Sequence, residues 1–216
     1  MCSSNTAEST AHRFRSRFNA WFLDANEGIM HRMYGAHKQQ LLHELSGAVV
    51  EIGPGAGANM RYYPRGLNVI AVEPNAAMHE RLRLRAAAHG VPLDIRMLRG
   101  ERMDLPDDSA DLVIATLLLC TVEDPAGVVA EIRRILKPGG RYVFLEHVAA
   151  EAAGVLRLSQ RVLHSPHRWV FEGCRTDRRT WETLGHAGFS RLDCRREQIM
   201  SPMFWIAPHI VGEAVK

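Results

Sequence analysis

The residues best suited to chemistry are acids and glycines in a fixed order. Glu51 sits inside the apolar run Ala48–Ile52, two positions before Gly53, which is followed by Gly55 and Gly57. A buried strand that breaks into glycines lets backbone N–H groups and the next helix N-terminus approach a ligand closely. Gly53-x-Gly55-x-x-Ala58 also satisfies a dinucleotide-binding pattern, so nicotinamide or flavin chemistry stays open on the glycines alone. Two details favour S-adenosylmethionine. Glu51 can reach a methionine ammonium group, and Pro54 stiffens the turn while removing one donor, which suits a ligand without a pyrophosphate.

The other candidates follow from where strands end. In open α/β sheets the ligand lies outside the carboxyl ends of the strands, at the switch point. Glu73 ends a second strand, where a carboxylate can accept both ribose hydroxyls, and Pro74-Asn75 opens the next helix, which carries Met78. Gly100-Glu101, followed by Arg102, ends a third strand, where an amide and an acid can read an adenine edge. Thr116 and Leu117 end the fourth and border the methionine end. Glu146-His147 ends the fifth, near the place for an acceptor. His147 or His209 could help remove an acceptor proton, and either could equally serve as a hydrogen-bonded core residue.

These positions require an alternating chain. Strands are expected over Ala48–Ile52, Asn68–Glu73, Leu93–Leu98, Asp111–Thr116 and Arg141–His147, with helices near 75–89 and 125–136 between them. Lys137-Pro-Gly-Gly140 is placed as a helix stop. The stretch 150–176 is irregular, 178–186 reads as helix, and Ser190–Glu197 and Met203–Val215 read as two closing strands. The expectation is a doubly wound, mostly parallel, seven-stranded α/β sheet. Residues 1–10 read as a disordered tail and 11–216 as one domain. Within 11–45, Phe14, Phe18, Trp21 and Phe22 fall on one helical face. That region can pack on the sheet, close as a lid over a pocket, or touch a membrane surface through its arginines.

Composition narrows the rest. A chain of 216 residues with 46% hydrophobic and 24% charged residues suits one compact, soluble domain. A formal charge of +3 is too small to argue for nucleic acid. Cys2, Cys120, Cys174 and Cys194 show no CxxC or His/Cys metal spacing, so reduced thiols in the cytoplasm and no metal are expected. No signal peptide or spanning run is legible.

The joint pattern resembles the type-11 group of class I S-adenosylmethionine-dependent methyltransferases. Ile52-Gly-Pro-Gly-Ala-Gly-Ala-Asn59, Tyr63-Pro64, Glu73-Pro-Asn75, Thr116-Leu-Leu-Leu-Cys120, Leu136-Lys-Pro-Gly-Gly140, Glu146-His-Val148 and Pro208-His-Ile210 are most similar to small thiol S-methyltransferases of animals. The resemblance runs from about residue 40 to the C-terminus. It departs at the N-terminus, which lacks the apolar anchor of those proteins. The resemblance implies a Rossmann-like fold with S-adenosylmethionine held by Glu51, Gly53, Pro54, Gly55, Gly57 and Asn59 at its methionine end. It implies Glu73 at the ribose, Glu101 with Arg102 at the adenine, and Thr116 and Leu117 beside the sulfonium. A small thiol acceptor is expected, in a pocket of Phe14, Trp21, Leu118, Cys120, Trp169, Phe171 and Trp205, with Glu146, His147 and His209 as the candidate catalytic groups. Oxygen, nitrogen or carbon methylation, an aminophospholipid acceptor, or a cofactor-binding regulator without turnover remain alternatives.

Overall fold

The computed structural model describes residues 25, 27–171 and 173–216. The proposed tail, Phe14 and Trp21 lie outside the described residues. Seven strands form one sheet: β1 Val49–Ile52, β2 Val69–Val72, β3 Leu93–Arg96, β4 Ala110–Thr116, β5 Leu136–His147, β6 Arg191–Gln198 and β7 Pro208–Val215. Their order is β3-β2-β1-β4-β5-β7-β6, with the first five parallel and the β6–β7 pair antiparallel. The order reverses between β1 and β4, so the crevice of the switch point opens above the glycine turn.

Among the described residues six helices accompany the sheet: α1 Glu27–Leu41, α2 Ala76–His89, α3 Pro125–Ile135, α4 Val155–Val162, α5 His164–Val170 and α6 Thr180–Gly185. Strand residues alternate faces, and the two cores follow that period. Val50, Ile52, Val113 and Phe144 pack with Val128, Ile132 and Ile135 of α3 and Leu184 of α6. Val49, Ala71, Ile114 and Val143 pack on the other face with Leu82 and Ala86 of α2 and with Met60 and Tyr63. By the same alternation Glu51 shares the face of Val49, the side of Met60 and Tyr63.

Local chemistry sets the helix ends. The Asn75 side chain accepts from the Ala77 N–H, and α2 stops at Gly90, whose φ of +67° suits glycine. Asp124 caps α3 by accepting from Gly127 N–H, with Pro125 in the first turn.

Two expectations are corrected. Lys137-Pro-Gly-Gly140 does not separate α3 from β5. The helix ends at Ile135, Leu136 is already extended, and the segment is the irregular start of β5, with Ala110 opposite Leu136 and Leu112 opposite Arg141. Its place is fixed from outside: Lys137 Nζ meets Asp111 at 2.7 Å, and Gly139 N–H donates to the Lys216 carbonyl. Met203–Val215 is not one strand either. Phe204–Ile206 form a 3-10 turn, because the chain must reverse between β6 and β7, and Ile199 N–H closes that loop on the Ala207 carbonyl.

Gly212 tests the β6–β7 register. A Cβ there would fall 1.9 Å from the Asp193 carbonyl oxygen, a backbone atom that cannot step aside. Gly212→Ala is expected to lower unfolding free energy by about 1–3 kcal/mol in urea titrations. Gly185→Ala at the end of α6, where nothing lies within 4 Å, is expected to leave the midpoint unchanged or raise it.

Candidate functional site

The carboxyl ends of β1, β2, β4 and β5 bring most of the expected residues to one edge. Gly53 and Gly55 take φ of +65° and +56°, backbone that only glycine adopts freely, and Gly57 follows at +88°. A Cβ on Gly53 would strike Leu118 Cδ1 at 2.7 Å, so the β4 turn lies directly over the β1 turn, whereas Gly55 faces open space. Glu73 bridges the first two strand ends: its carboxylate accepts from Gly55 N–H at 3.0 Å and Asn75 N–H at 2.8 Å. Gly100 packs beneath this edge, between Ile52 and Val128. Met78 is buried with Ala56 and Ala77. Pro74 and Arg102 are exposed and Glu101 is half-buried.

The strongest indication of a ligand is a set of buried polar atoms clustered around one carboxylate. Glu51 is 1% exposed. Its Oε1 accepts from Asn59 Nδ2 at 2.7 Å, and that amide also donates to Thr116 Oγ1 at 3.0 Å. Glu51 Oε2, Asn59 Oδ1 and the Tyr63 hydroxyl are buried without a hydrogen bond of normal geometry. Such atoms are costly unless something completes them. A methionine ammonium group carries a positive charge and three donors, which suits a carboxylate oxygen and an amide oxygen side by side. Burial raises the Glu51 carboxyl, opposed by Tyr63, Asn59 and Lys38. Lys38 of α1 is itself buried, and burial lowers it to about 8 against the attraction of Glu51. The residues present therefore fit S-adenosylmethionine, with its methionine end at Glu51 and its ribose at Glu73.

The acceptor side is built on a different arrangement. Glu146 is fully buried, and its carboxylate accepts from the N–H groups of Leu118, Leu119 and Cys120 at 2.9, 2.9 and 3.2 Å. Those donors hold a turn in which Leu117 has φ +58°, a strained value for a leucine. Burial pushes the Glu146 carboxyl up, opposed by the three amides. Glu146, expected among the catalytic groups, has both oxygens engaged by backbone N–H groups, and it positions the turn.

His147 and His209 meet because they are directly opposed in the β5–β7 pair, with ring centroids 4.7 Å apart. Tyr34 of α1 lies between them, its hydroxyl 3.2 Å from His147 Nε2 and 3.1 Å from His209 Nε2. The chain of bonds has one direction. The Ala207 carbonyl can only accept, so His209 Nδ1 at 2.8 Å carries the proton and a neutral His209 accepts at Nε2. Tyr34 therefore donates to His209 and accepts from His147 Nε2–H. The lone pair of His147 is left on Nδ1, which faces Cys174 Sγ at 3.6 Å and Cys120 Sγ at 3.7 Å. Burial, reinforced by neighbouring histidines, holds His147 well below the usual imidazole range, and burial lowers His209 to about 4.

The expected aromatic pocket is brought together in part. His167 stacks on Phe171 at 4.4 Å and accepts at Nδ1 from Trp205 Nε1 at 3.3 Å. Trp169 is 63% exposed. It falls between His167 and Phe171 on a helical turn and so points to the opposite side, which removes it from the pocket. A cavity of about 290 Å3 lies at the other end of the sheet, between Asp111, Lys137 and Gly140, away from all these groups. Sequence reading missed Tyr34, Lys38 and Tyr63 as site residues and missed the meeting of Cys174 with Cys120. Tyr34 and Cys174 meet partners remote in the chain, and Lys38 and Tyr63 reach Glu51 from other elements, so no periodicity signals them.

This geometry, a switch-point crevice with a glycine turn and a strand-end acid, defines a Rossmann-like S-adenosylmethionine-dependent methyltransferase. The comparisons agree. A methyltransferase-domain family model matches residues 50–144. The chain is 34% identical over 210 residues to thiol S-methyltransferase TMT1A of Homo sapiens, covering 91% of this chain and 85% of that protein. It is 37% identical over 174 residues to thiol S-methyltransferase TMT1B of Rattus norvegicus, covering 78% and 70%. Among solved structures, an S-adenosylmethionine-dependent methyltransferase of Thermotoga maritima superposes with TM-score 0.67 at 21% identity, over 92% of this chain and 98% of that one. The [4+2]-cyclase SpnF shares the fold at TM-score 0.64 and 20% identity, over 82% and 79%. The chain belongs to the methyltransferase family that includes these thiol S-methyltransferases, and its cofactor is S-adenosylmethionine.

Two outcomes follow from the site. Glu51→Gln removes the buried charge and is expected to weaken S-adenosylmethionine binding about 10–100-fold, as loss of a charged hydrogen bond implies, read by calorimetry against an unchanged thermal midpoint. His209, at about 4 when folded and 6.5 when free, leaves the unfolded chain binding the extra proton between those values. Stability is then present above pH 6.5 and lost as pH falls toward 4, by roughly 3 kcal/mol. Urea midpoints at pH 7.5 and 4.5 should show this loss, and His209→Gln should shrink it.

Proposed function

We propose that this enzyme methylates the sulfur of a small thiol. The observation that carries the reading is the chemistry of the acceptor side. Around Cys120, His147 and Cys174 the Glu146 carboxylate is occupied by three amides, and the groups that face one another are buried imidazoles, thiols and a phenol, with the Arg178 guanidinium on the adjoining Leu119 carbonyl. That inventory suits a nucleophile needing little help from a base. A thiol of pKa about 8.5 is partly ionised near neutrality and is intrinsically nucleophilic. The names of the relatives support the same acceptor.

When bound, S-adenosylmethionine supplies an electrophilic methyl group on its sulfonium. The protein's part is alignment, which can contribute ~7–11 kcal/mol of barrier lowering. Glu51 and Asn59 hold the methionine end, Glu73 the ribose, and Gly100-Glu101 the adenine side. Leu117 and Leu118, fixed by Glu146, border the sulfonium and exclude water. Leu118, Cys120, Phe171 and Trp205 give the acceptor an apolar wall, and α1 covers this edge through Tyr34 and Lys38.

Methyl transfer from labelled S-adenosylmethionine to a panel of thiols, phenols, amines and aminolipids tests the acceptor. Thiol products alone are expected. Transfer to amines or aminolipids with thiols untouched would overturn the acceptor, and cofactor binding without any product would favour a regulator.

A further inference from the structure

Cys120, His147 and Cys174 lie 120 to 174 residues into the chain, on three separate segments, yet their ligand atoms form a closed triangle. The edges are 3.5 Å between the two sulfurs and 3.6 and 3.7 Å from each sulfur to His147 Nδ1. Tetrahedral zinc, with bonds of about 2.3 Å to sulfur and 2.0–2.1 Å to nitrogen, sets its ligand atoms about 3.5–3.8 Å apart. We propose that Cys120, His147 and Cys174 bind a zinc ion and that the fourth position receives the sulfur of the acceptor thiol.

Four features carry the site. The lone pair of His147 is aimed at the two sulfurs by the bonds running from Ala207 through His209 and Tyr34. A ligating imidazole characteristically has such an outer partner on its second nitrogen. The backbone holds the cysteine segments together independently of the thiols: Arg175 N–H donates to the Cys120 carbonyl at 2.7 Å, and the Arg178 guanidinium donates to the Leu119 carbonyl. Charge balances, since a divalent ion with two thiolates and a neutral imidazole sums to zero. That matters where the three residues are only 1%, 7% and 5% exposed. The acceptor thiolate adds one negative charge, and the Arg178 guanidinium beside both cysteines faces it. Finally, three protein ligands are the number found where zinc keeps a position for a substrate.

Zinc uptake displaces the two cysteine protons to solvent. The open position deepens the thiol reading above and rests on it; the three-ligand site does not. On taking that position the acceptor thiol releases its proton to solvent. Its sulfur lone pair then forms the new bond to the methyl carbon as the donor's carbon–sulfur bond breaks, with that electron pair going to the donor sulfur. The neutral thioether is a weaker ligand than a thiolate and leaves.

The test is metal uptake by the full chain, free of competing thiols. Elemental analysis and titration with Zn2+ against a chromophoric chelator should give one ion per chain. Co2+ in its place should show tetrahedral bands and thiolate charge-transfer absorption. Cys120→Ser and Cys174→Ser, each checked for folding by circular dichroism, should weaken uptake by more than the ~10–100-fold that loss of an outer partner costs. Cys194→Ser should leave it unchanged. Adding 2-mercaptoethanol to the cobalt form should shift its bands. Substoichiometric uptake, uptake indifferent to both cysteine variants, or a Cys120–Cys174 disulfide in the freshly purified protein would overturn the site. Bands unmoved by the added thiol would overturn the open position. Thiol methylation at full rate after chelation would sink the zinc role while leaving the thiol reading intact. Stoichiometric zinc without thiol products would do the reverse.

Discussion

The Glu146 carboxylate, gripped by three consecutive backbone N–H groups, is the contact on which the site depends. It ties the end of β5 to the turn after β4, two adjacent strands whose registered pairing stops at Thr116 and Leu145. The turn is strained at Leu117 and persists because its donors have a buried acceptor. Its consequences spread to both sides. Leu118 is pressed over Gly53, at the glycine turn, and Cys120 is delivered to His147. One buried acid thus sets the distance between the glycine turn and the cluster at His147.

A second constraint is register. β7 enters antiparallel between β5 and β6, and a one-residue slip would send every side chain of β7 to the other face. The observed pairing sets His209 opposite His147 and Ile210 opposite Glu146. Gly212, whose missing Cβ lets the Asp193 backbone approach, holds that pairing close. Tyr34 then completes the contact from α1, packing against Leu145, Ile199 and Val211. The helix that covers the edge is therefore fastened by the same hydrogen-bonded chain that orients His147.

The two ends of the crevice use burial differently. Near Glu51 buried oxygens gather around one carboxylate, an arrangement that suits a cationic ligand. Near His147 two imidazoles and a phenol are joined by hydrogen bonds, and the sulfurs converge on one lone pair. The first end recognises charge. The second gathers soft sulfur and imidazole groups.

Much of this was legible in the chain itself. The alternation of apolar runs and glycine turns determined the doubly wound sheet, because a parallel strand buried on both faces and a helix stop each leave a local signature. Glu51, Gly53, Gly55, Glu73 and Gly100 were readable as neighbours for the same reason: each stands at or near the carboxyl end of a strand. Lys137-Pro-Gly-Gly140 misled locally, since its glycines serve the irregular start of a strand whose partners, Asp111 and Lys216, are remote. Tyr34, Lys38, Tyr63 and Cys174 could not be read. Their partners lie across the fold, and neither periodicity nor spacing records a long-range contact. The sequence by itself determined the strand ends and therefore the cofactor edge. Only tertiary packing decided that Glu146 is a scaffold, that Trp169 faces outward, and that two distant cysteines and a histidine meet.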